Sequence, residues 1–515
     1  MANKKRQGTL GDRLDRAIAV LFPAAAVRRQ VARLAYDAAS RSSIRRRYVT
    51  SIGGSADAHA TPSDLFRLIN MSRNFERNNP VVAGQYVTMA NNIAGTTLRV
   101  QSRAGQGPGQ PKDEWKAFRA EQEHAWTEWA TSPKACDVQG RRSFHAMVHA
   151  SVQTLCRDGD MLFLKVNQGD GALLAFEADQ CATPLKDRSA GNVSYGIRVD
   201  SSGRAAAYHL SDAHSSSGYE TPGGNGAWYP AKYVLHPAHR RRFSQTRGSP
   251  ILVASFTMIQ DMQEALEAYI LGTKLAASVG LVFLQQGGPA WGKARSTVQE
   301  DGAGNDRREE KVHPAMIFHG EPGEEVKTID MNRPTPDFAE FFNSMWRWAG
   351  RPTAMAGELI LLDFSQSNFS NTRQAIIETR HGFTVMRNDV VIPQIVRPTY
   401  RWKMGWWCRP GGPLGMRAKG LPPDFLAHEV SFSGWDWIDK LKDLKADGEA
   451  VDRGFVAPQT VSAQRGYDLE EVLVSKGEAI KIAQEVAQRL GLEDWRVLLP
   501  NGLLRKTTGP APGGG

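Results

Sequence analysis

The sequence predicts an α+β fold spread over more than one domain, and three observations carry that reading. Between residues 161 and 236, short apolar runs are separated by Gly/Ser turns, the pattern of strands. On either side, longer stretches repeat apolar residues three and four apart, the pattern of amphipathic helices. The chain has 515 residues and is 41% hydrophobic, enough for several cores and about two to four domains.

Taken in order, residues 1–50 are basic and amphipathic. Arginines 28, 29, 33, 41 and 45–47 are interleaved with apolar residues, as in a helix that docks on its neighbours, a nucleic-acid arm or a membrane-surface segment. The apolar run from Ala17 to Val27 contains Pro23 and is too short to span a bilayer. Neither a signal peptide nor a transmembrane helix is expected. Residues 51–59 form a flexible break. Thr61-Pro62-Ser63-Asp64 then opens a helix, with Thr as N-cap, Pro at the first helical position and an acid at the third. Leu65, Phe66, Leu68 and Ile69 supply its buried side, and Asn78-Asn79-Pro80 breaks it. A second helix runs from Val81 to Ile93 and a strand from Thr96 to Val100.

Trp115, Phe118, Trp126 and Trp129 mark a core-facing helix over 113–130, and Ser143 to Cys156 form another. His145 and His149 stand four apart there. The glutamate of a His-Glu-x-x-His motif is missing and no third ligand is evident, so no metal site is expected. Arg157-Asp158-Gly159-Asp160 is a tight turn into a strand over 161–166; further strands are expected at 172–177, 193–200, 204–210 and 231–236. Asp158, Asp160 and Asp170 lack calcium-loop spacing and read as turn residues.

His239 to Arg242 and Arg247 make a basic loop closed by Gly248-Ser249-Pro250. A long apolar helix follows from Ile251 to about Leu281, with Asp261, Glu264 and Glu267 in its first half. Residues 285–310 are polar, Gly-rich and expected to be mobile. A small β region is expected at 315–319 and 325–329, and Asp337 to Ala349 returns as a helix.

The polar turn Ser365-Gln366-Ser367-Asn368 leads into a helical pattern from Thr372 to Ile392, roughly 30 Å long at ~1.5 Å per residue. Ile376, Phe383 and Val390 share one face, with Met386 between them; Arg373, Arg380 and Arg387 form a neighbouring stripe. That stripe is either the solvated flank of a core helix or a row of guanidinium groups offered to phosphate. Pro393 and Pro398 should stop or kink the helix. Beyond a loop at 411–423, helices are expected near 437–450, 458–465 and 468–490, the last capped by Asp468. Residues 505–515 are expected to be disordered.

Lys and Arg number 64 against 54 Asp and Glu, a formal charge of +10. This suits nucleic-acid contact and equally a soluble protein with a basic tail. Cys136, Cys156, Cys181 and Cys408 form no CxxC pair, which argues against structural zinc and a disulfide framework. There is no GxxxxGK[ST] loop, no GxGxxG after a strand and no GxSxG elbow. Acids are scattered singly rather than paired. No catalytic residue, metal or cofactor is expected, and the missing motifs favour a structural or binding role.

Several short stretches stand out in order along the chain. They are Ala35-Tyr36-Asp37-Ala38-Ala39; Arg77-Asn78-Asn79-Pro80 through Asn91 to Gly95; Arg157-Asp158-Gly159-Asp160; Gln245 to Pro250; Gly320 to Glu324; and Asp363 to Arg373. Trp435 to Asp439, Gly454 and Arg465 to Asp468 complete the set. Together they resemble the lambda-type portal proteins of tailed phages, departing at Asp160, where Glu is common, and at Phe369-Ser370-Asn371, where Tyr-Ser-Ser is more usual.

The resemblance implies a portal fold: an α/β wing, a long-helix stem, a small α/β clip and a helical crown, in a ring usually of twelve subunits. On this chain it implies a basic arm at 1–60, a wing at 61–250, and stem helices at 251–281 and 333–352 around a clip at 282–332. It further implies a tunnel loop at 353–370, a tunnel helix and wing return at 371–409, a crown at 410–501 and a disordered tail at 502–515. The implied partners are sister subunits, double-stranded DNA in the channel, the terminase large subunit, the major capsid and scaffold proteins, and a head-completion or tail adaptor. No membrane is implied. The implied location is the capsid vertex of the virion, after assembly in the host cytoplasm.

A conduit must hold DNA without gripping it, and each neutralised phosphate adds salt-dependent affinity. The expected channel is therefore mixed. Asp261, Glu264 and Glu267 line the stem, Ser365 to Asn368 the tunnel loop, and Arg373, Arg380 and Arg387 face either the channel or a neighbouring subunit. A DNA-processing nuclease and a monomeric basic DNA-binding adaptor are the alternatives.

Overall fold

The computed structural model describes residues 54–107, 114–215, 217–220, 224–278, 282–283, 299–300, 306–307, 318–319, 337–365, 368–415, 420–435, 440–464, 467 and 469–499. The expectations for the N-terminal arm, most of the clip, the Asp468 cap and the C-terminal tail lie outside these residues. The described residues form two compact units. One combines Gly54–Pro250 with the chain from Asn368 onward; the other lies within Ile251–Ser367.

The larger unit begins with α1 (Pro62–Asn78). Its capping box is reciprocal: Asp64 N donates to Thr61 Oγ1 and Thr61 N donates to Asp64 Oδ2, both at 3.2 Å. Asn79 ends α1 and also caps α2 (Pro80–Ala94), accepting from Val81 N and Val82 N at 3.1 Å. After β1 (Leu98–Ser102) come α3 (Lys116–Thr131) and α4 (Phe144–Asp158), capped by Ser143. Their interface is aromatic: Trp126 meets Phe144 edge-on at 5.3 Å, and both rings are buried.

Two antiparallel sheets follow. In the first, β2 (Met161–Val166) lies between β3 (Ala172–Glu177) and β8 (Val234–Leu235). The second is a meander of β4 (Val193–Ser194), β5 (Ile197–Val199), β6 (Ala205–Ser211) and β7 (Gly226–Pro230). Leu162 and Leu164 pack with Ile197, Tyr208, Leu210 and Val234 into one shared core.

The single strand expected over 193–200 is a hairpin. Tyr195 and Gly196 both have positive φ, 55° and 76°, as a two-residue type I′ turn requires. Tyr195 tolerates that backbone because its ring is buried and its hydroxyl donates to Ala60 O at 2.6 Å. The strand expected at 231–236 shortens to β8, since Ala231–Tyr233 is a 3-10 turn; β7 went unread.

In the second unit, α5 (Phe256–Ser278) starts later than expected, after a turn and a 3-10 segment. It packs on α6 (Asp337–Ala349), with Tyr269 and Phe338 stacked at 3.8 Å, followed by Phe342 and Trp346. Val282–Phe283 pairs in parallel with Phe318–His319. Gln299–Glu300 pairs with Asp306–Arg307 inside the stretch expected to be mobile. A short helix, α7 (Gly357–Leu361), occupies the expected tunnel loop.

The chain returns through α8 (Phe369–Met386), capped by Asn368. The prolines do not stop it. Residues Arg387–Val396 widen into a π-helix containing Pro393, and α9 (Arg397–Trp407) continues with Pro398 in its first turn. A π turn moves away the carbonyl that a proline ring would strike. Then β9 (His428–Phe432), also unread in the sequence, pairs antiparallel with β1, Leu98 opposite Phe432. The expected C-terminal helices are α10 (Lys440–Asp452), α11 (Pro458–Gln464) and α12 (Leu469–Leu490). All four cysteines are free and buried. Among the described residues, no helix is long and apolar enough to cross a membrane.

Candidate functional site

Two turns distant in sequence, Arg157–Asp160 and Gln245–Pro250, meet at a buried ion pair. Arg247 donates through Nε to Asp160 Oδ2 at 2.6 Å and through Nη2 to Oδ1 at 2.8 Å. Its other N–H groups reach Cys181 O, Tyr195 O and Ala178 O at 3.0, 3.1 and 2.6 Å, so the whole guanidinium fork is used. Asp160 also accepts from Gly248 N at 2.8 Å and pairs with His236 Nε2 at 3.1 Å. Burial alone would raise the Asp160 carboxyl; Arg247 and His236 outweigh it and hold the group well below the carboxylate range.

A second layer surrounds this pair. Asp158 is fully buried between the forks of Arg73 and Arg157. Arg73 Nη2 also lies 2.8 Å from Asp179 and 2.9 Å from Glu177. Glu177, Asp179 and His214 are spaced closely enough to hold a metal ion, but the Arg73 guanidinium already supplies their positive charge. His145 and His149 do not act as a ligand pair: their Nε2 atoms face Ala94 O and Asn91 Oδ1 of α2.

The three expected arginines have distinct surroundings. Arg373 forms a 2.6 Å ion pair with Asp443 of α10. Arg380 lies 5.9 Å above the Trp435 ring. Arg387 is buried; its Nε and Nη2 donate to Ile93 O and Asn92 O at 2.6 and 2.7 Å, closing the C-terminus of α2. It also stacks 4.3 Å from Trp435, and burial lowers it to about 10. The apolar stripe faces inward, with Phe383, Met386 and Val390 buried. Beside α8 an open groove of about 1120 Å³ is lined by Arg99, Arg103, Arg380, Arg387, Glu429 and Trp435, among others.

On α5, Asp261 is half-buried while Glu264 and Glu267 are exposed. Ser365 N bonds to Asp363 Oδ1, and Asn368 caps α8; Gln366 and Ser367 lie outside the described residues. Sequence reasoning missed the role of Asp160 and Arg247, which read as turn and basic-loop residues. The available signal was a glycine beside the charge in each turn.

The buried charges described above are spent on one another and on backbone groups. Comparison with known proteins gives the family. The family model for phage portal protein, lambda family, matches residues 44–387. The chain is 22% identical over 449 residues to the probable portal protein of Halomonas phage phiHAP-1, covering 84% of this chain and 83% of that one. It is 21% identical over 446 residues to portal protein B of Escherichia phage lambda, covering 78% and 80%. A chain from the neck of a native gene transfer agent particle, solved with C12 symmetry, aligns with a TM-score of 0.43 at 14% identity, covering 79% and 94%. The chain belongs to the lambda family of phage portal proteins. Its function is therefore that of a portal at the capsid vertex.

Proposed function

We propose that twelve copies of this chain form a portal ring through which double-stranded DNA is packaged and ejected. The ring docks the terminase large subunit during packaging and a head-completion or tail adaptor afterwards, and it contacts major capsid and scaffold proteins. It assembles in the host cytoplasm and acts as a conduit, the work being supplied by the terminase. The observation that carries the reading is the family match across most of the chain.

On this reading the wing comprises 61–250 and 371–409, and we add the strand His428–Phe432, because it is hydrogen-bonded to Leu98–Ser102. The stem comprises 251–281 and 333–352, around a clip at 282–332. The tunnel loop spans 353–370, and the rest of 410–501 is the crown. Exposed Glu264 and Glu267 are the stem-lining candidates. Their like charge repels phosphate and prevents DNA from stalling.

Native mass measurement with negative-stain imaging tests the ring. A particle with a central hole near 680 kDa, twelve times 56.7 kDa, is expected. A compact dimer that cuts DNA in the presence of a divalent cation would overturn the proposal.

A further inference from the structure

The open groove beside α8, about 1120 Å³, is slightly larger than the ~300–1,000 Å³ that holds a small molecule. One side of it is a face of the β1–β9 pair. Arg99, Gln101 and Arg103 line it there, alternating with the buried Val100 and Ser102. Arg380, Arg387 and Asn388 line it from α8 and the turn beyond. Two buried arginines are described in this chain. Arg247 has the carboxylate of Asp160, but Arg387 has only neutral partners. It is 8% exposed and meets the carbonyls of Ile93 and Asn92 and the rings of Phe432 and Trp435. Among the described residues its Nη1 donates to nothing and no carboxylate pairs with it. A desolvated cation without a counter-ion costs stability until an anion meets it.

The acids of the groove do not fill that role. Glu429 lies 2.6 Å from Arg103, and Glu470 lies 2.7 Å from Lys116. The lining carries four arginines against these two glutamates. We propose that the groove binds an acidic peptide segment of a partner protein, with a carboxylate seated at Arg387. A nucleic-acid strand fits less well. It carries a phosphate at every residue and would meet Glu429 and Glu470, where a peptide can place neutral residues. The ring best suited to stack a base, Trp435, already has Arg387 against it at 4.3 Å. The amides of Gln101, Gln106, Gln459 and Asn388 both donate and accept, as a peptide backbone requires. Because the groove lies within one subunit, this site stands independently of the portal reading.

Fluorescence anisotropy tests the site on the full chain, in whichever assembly it purifies. The probe is a short fluorescein-labelled peptide of alternating glutamate and glycine. Saturable binding by the wild type is expected. Arg99→Gln and Asn388→Asp, both in the groove, should weaken it about fivefold or more. Arg204→Gln removes the same charge from an exposed turn outside the groove and should bind as the wild type does. Asn388 is exposed, so Asn388→Asp should unfold at the wild-type temperature. Absence of saturable binding by the wild type would overturn the proposal. So would equal losses in Arg99→Gln and Arg204→Gln, which would reduce the effect to net charge. Tighter binding of an oligothymidylate of equal length would make the groove a nucleic-acid site instead. If rings bind no peptide and Asn388→Asp makes them dissociate at higher concentration, the occupant is a neighbouring subunit and the proposal fails.

Discussion

Arg247 and Asp160 are joined by two parallel hydrogen bonds of 2.6 and 2.8 Å, with both side chains 1% exposed. Removing one partner of such a pair leaves the other charged and dry. Asp160→Asn should therefore destabilise the fold by about 3–5 kcal/mol. Arg247→Lys should also destabilise it, because an ammonium cannot serve the carboxylate and three carbonyls together. Urea denaturation of the purified variants measures both effects.

The glycines beside this pair allow the turns to touch. A Cβ on Gly248 would lie 1.9 Å from Gly159 O, and one on Gly159, where φ is +94°, would lie 2.3 Å from Ser249 N. Either alanine substitution should push backbone against backbone and yield largely insoluble protein. Gly191→Ala, where nothing lies within 4 Å, should express as the wild type does. Soluble yield distinguishes them.

Burial holds His236 neutral, with Arg240 and Arg247 assisting and Asp160 opposing. Arg240 Nη2 donates to Nδ1 at 3.1 Å, and Nε2 faces Asp160 at 3.1 Å. Burial pushes its pKa down to about 4 from 6.5. Between these values the unfolded chain binds a proton that the folded chain refuses, so stability falls as pH drops from 6.5 to 4. The expected loss is about 3 kcal/mol relative to His236→Gln, read from unfolding curves of both proteins across that window.

Lys403 shows the corresponding behaviour at alkaline pH. Its ammonium is fully buried, donates to Asp170 O and Gly171 O at 2.5 and 3.1 Å, and lies 4.2 Å from Trp407 and 4.7 Å from Trp129. Burial lowers its pKa from 10.5 to about 8, with Asp170 opposing. Between pH 8 and 10.5 the unfolded chain carries the extra proton, so this group adds stability as pH rises. The stability difference between wild type and Lys403→Met should grow by about 3 kcal/mol across that window.

Arg380 separates two readings of the tunnel helix. It lies beside Trp435 and lines the groove. Arg380→Glu should abolish ring assembly if this face meets a neighbouring subunit. Normal rings that fail to package DNA would instead identify a channel-facing role. Particle imaging and a packaging assay give the two readouts.

Local signals determined most helices. Thr61 with Asp64, Asn79, Ser143 and Asn368 are caps whose bonding groups lie within a few residues, so their chemistry is legible in the sequence. The strands at 161–166 and 172–177 were legible for the same reason. The order of short motifs also sufficed to indicate the family. Tertiary structure alone decided the pairing of β1 with β9, whose partners are more than three hundred residues apart and carry no shared local pattern. It also decided that the helix crosses Pro393 as a π segment, because packing on both sides holds the register that a proline alone would break. Arg247 looked like a surface cation, and Arg387 like part of a regular stripe. Both became buried because carbonyls and a carboxylate from remote segments converge on them. Desolvating a guanidinium is tolerable only when such partners are already in place, and their convergence is a property of the fold, not of the neighbouring sequence.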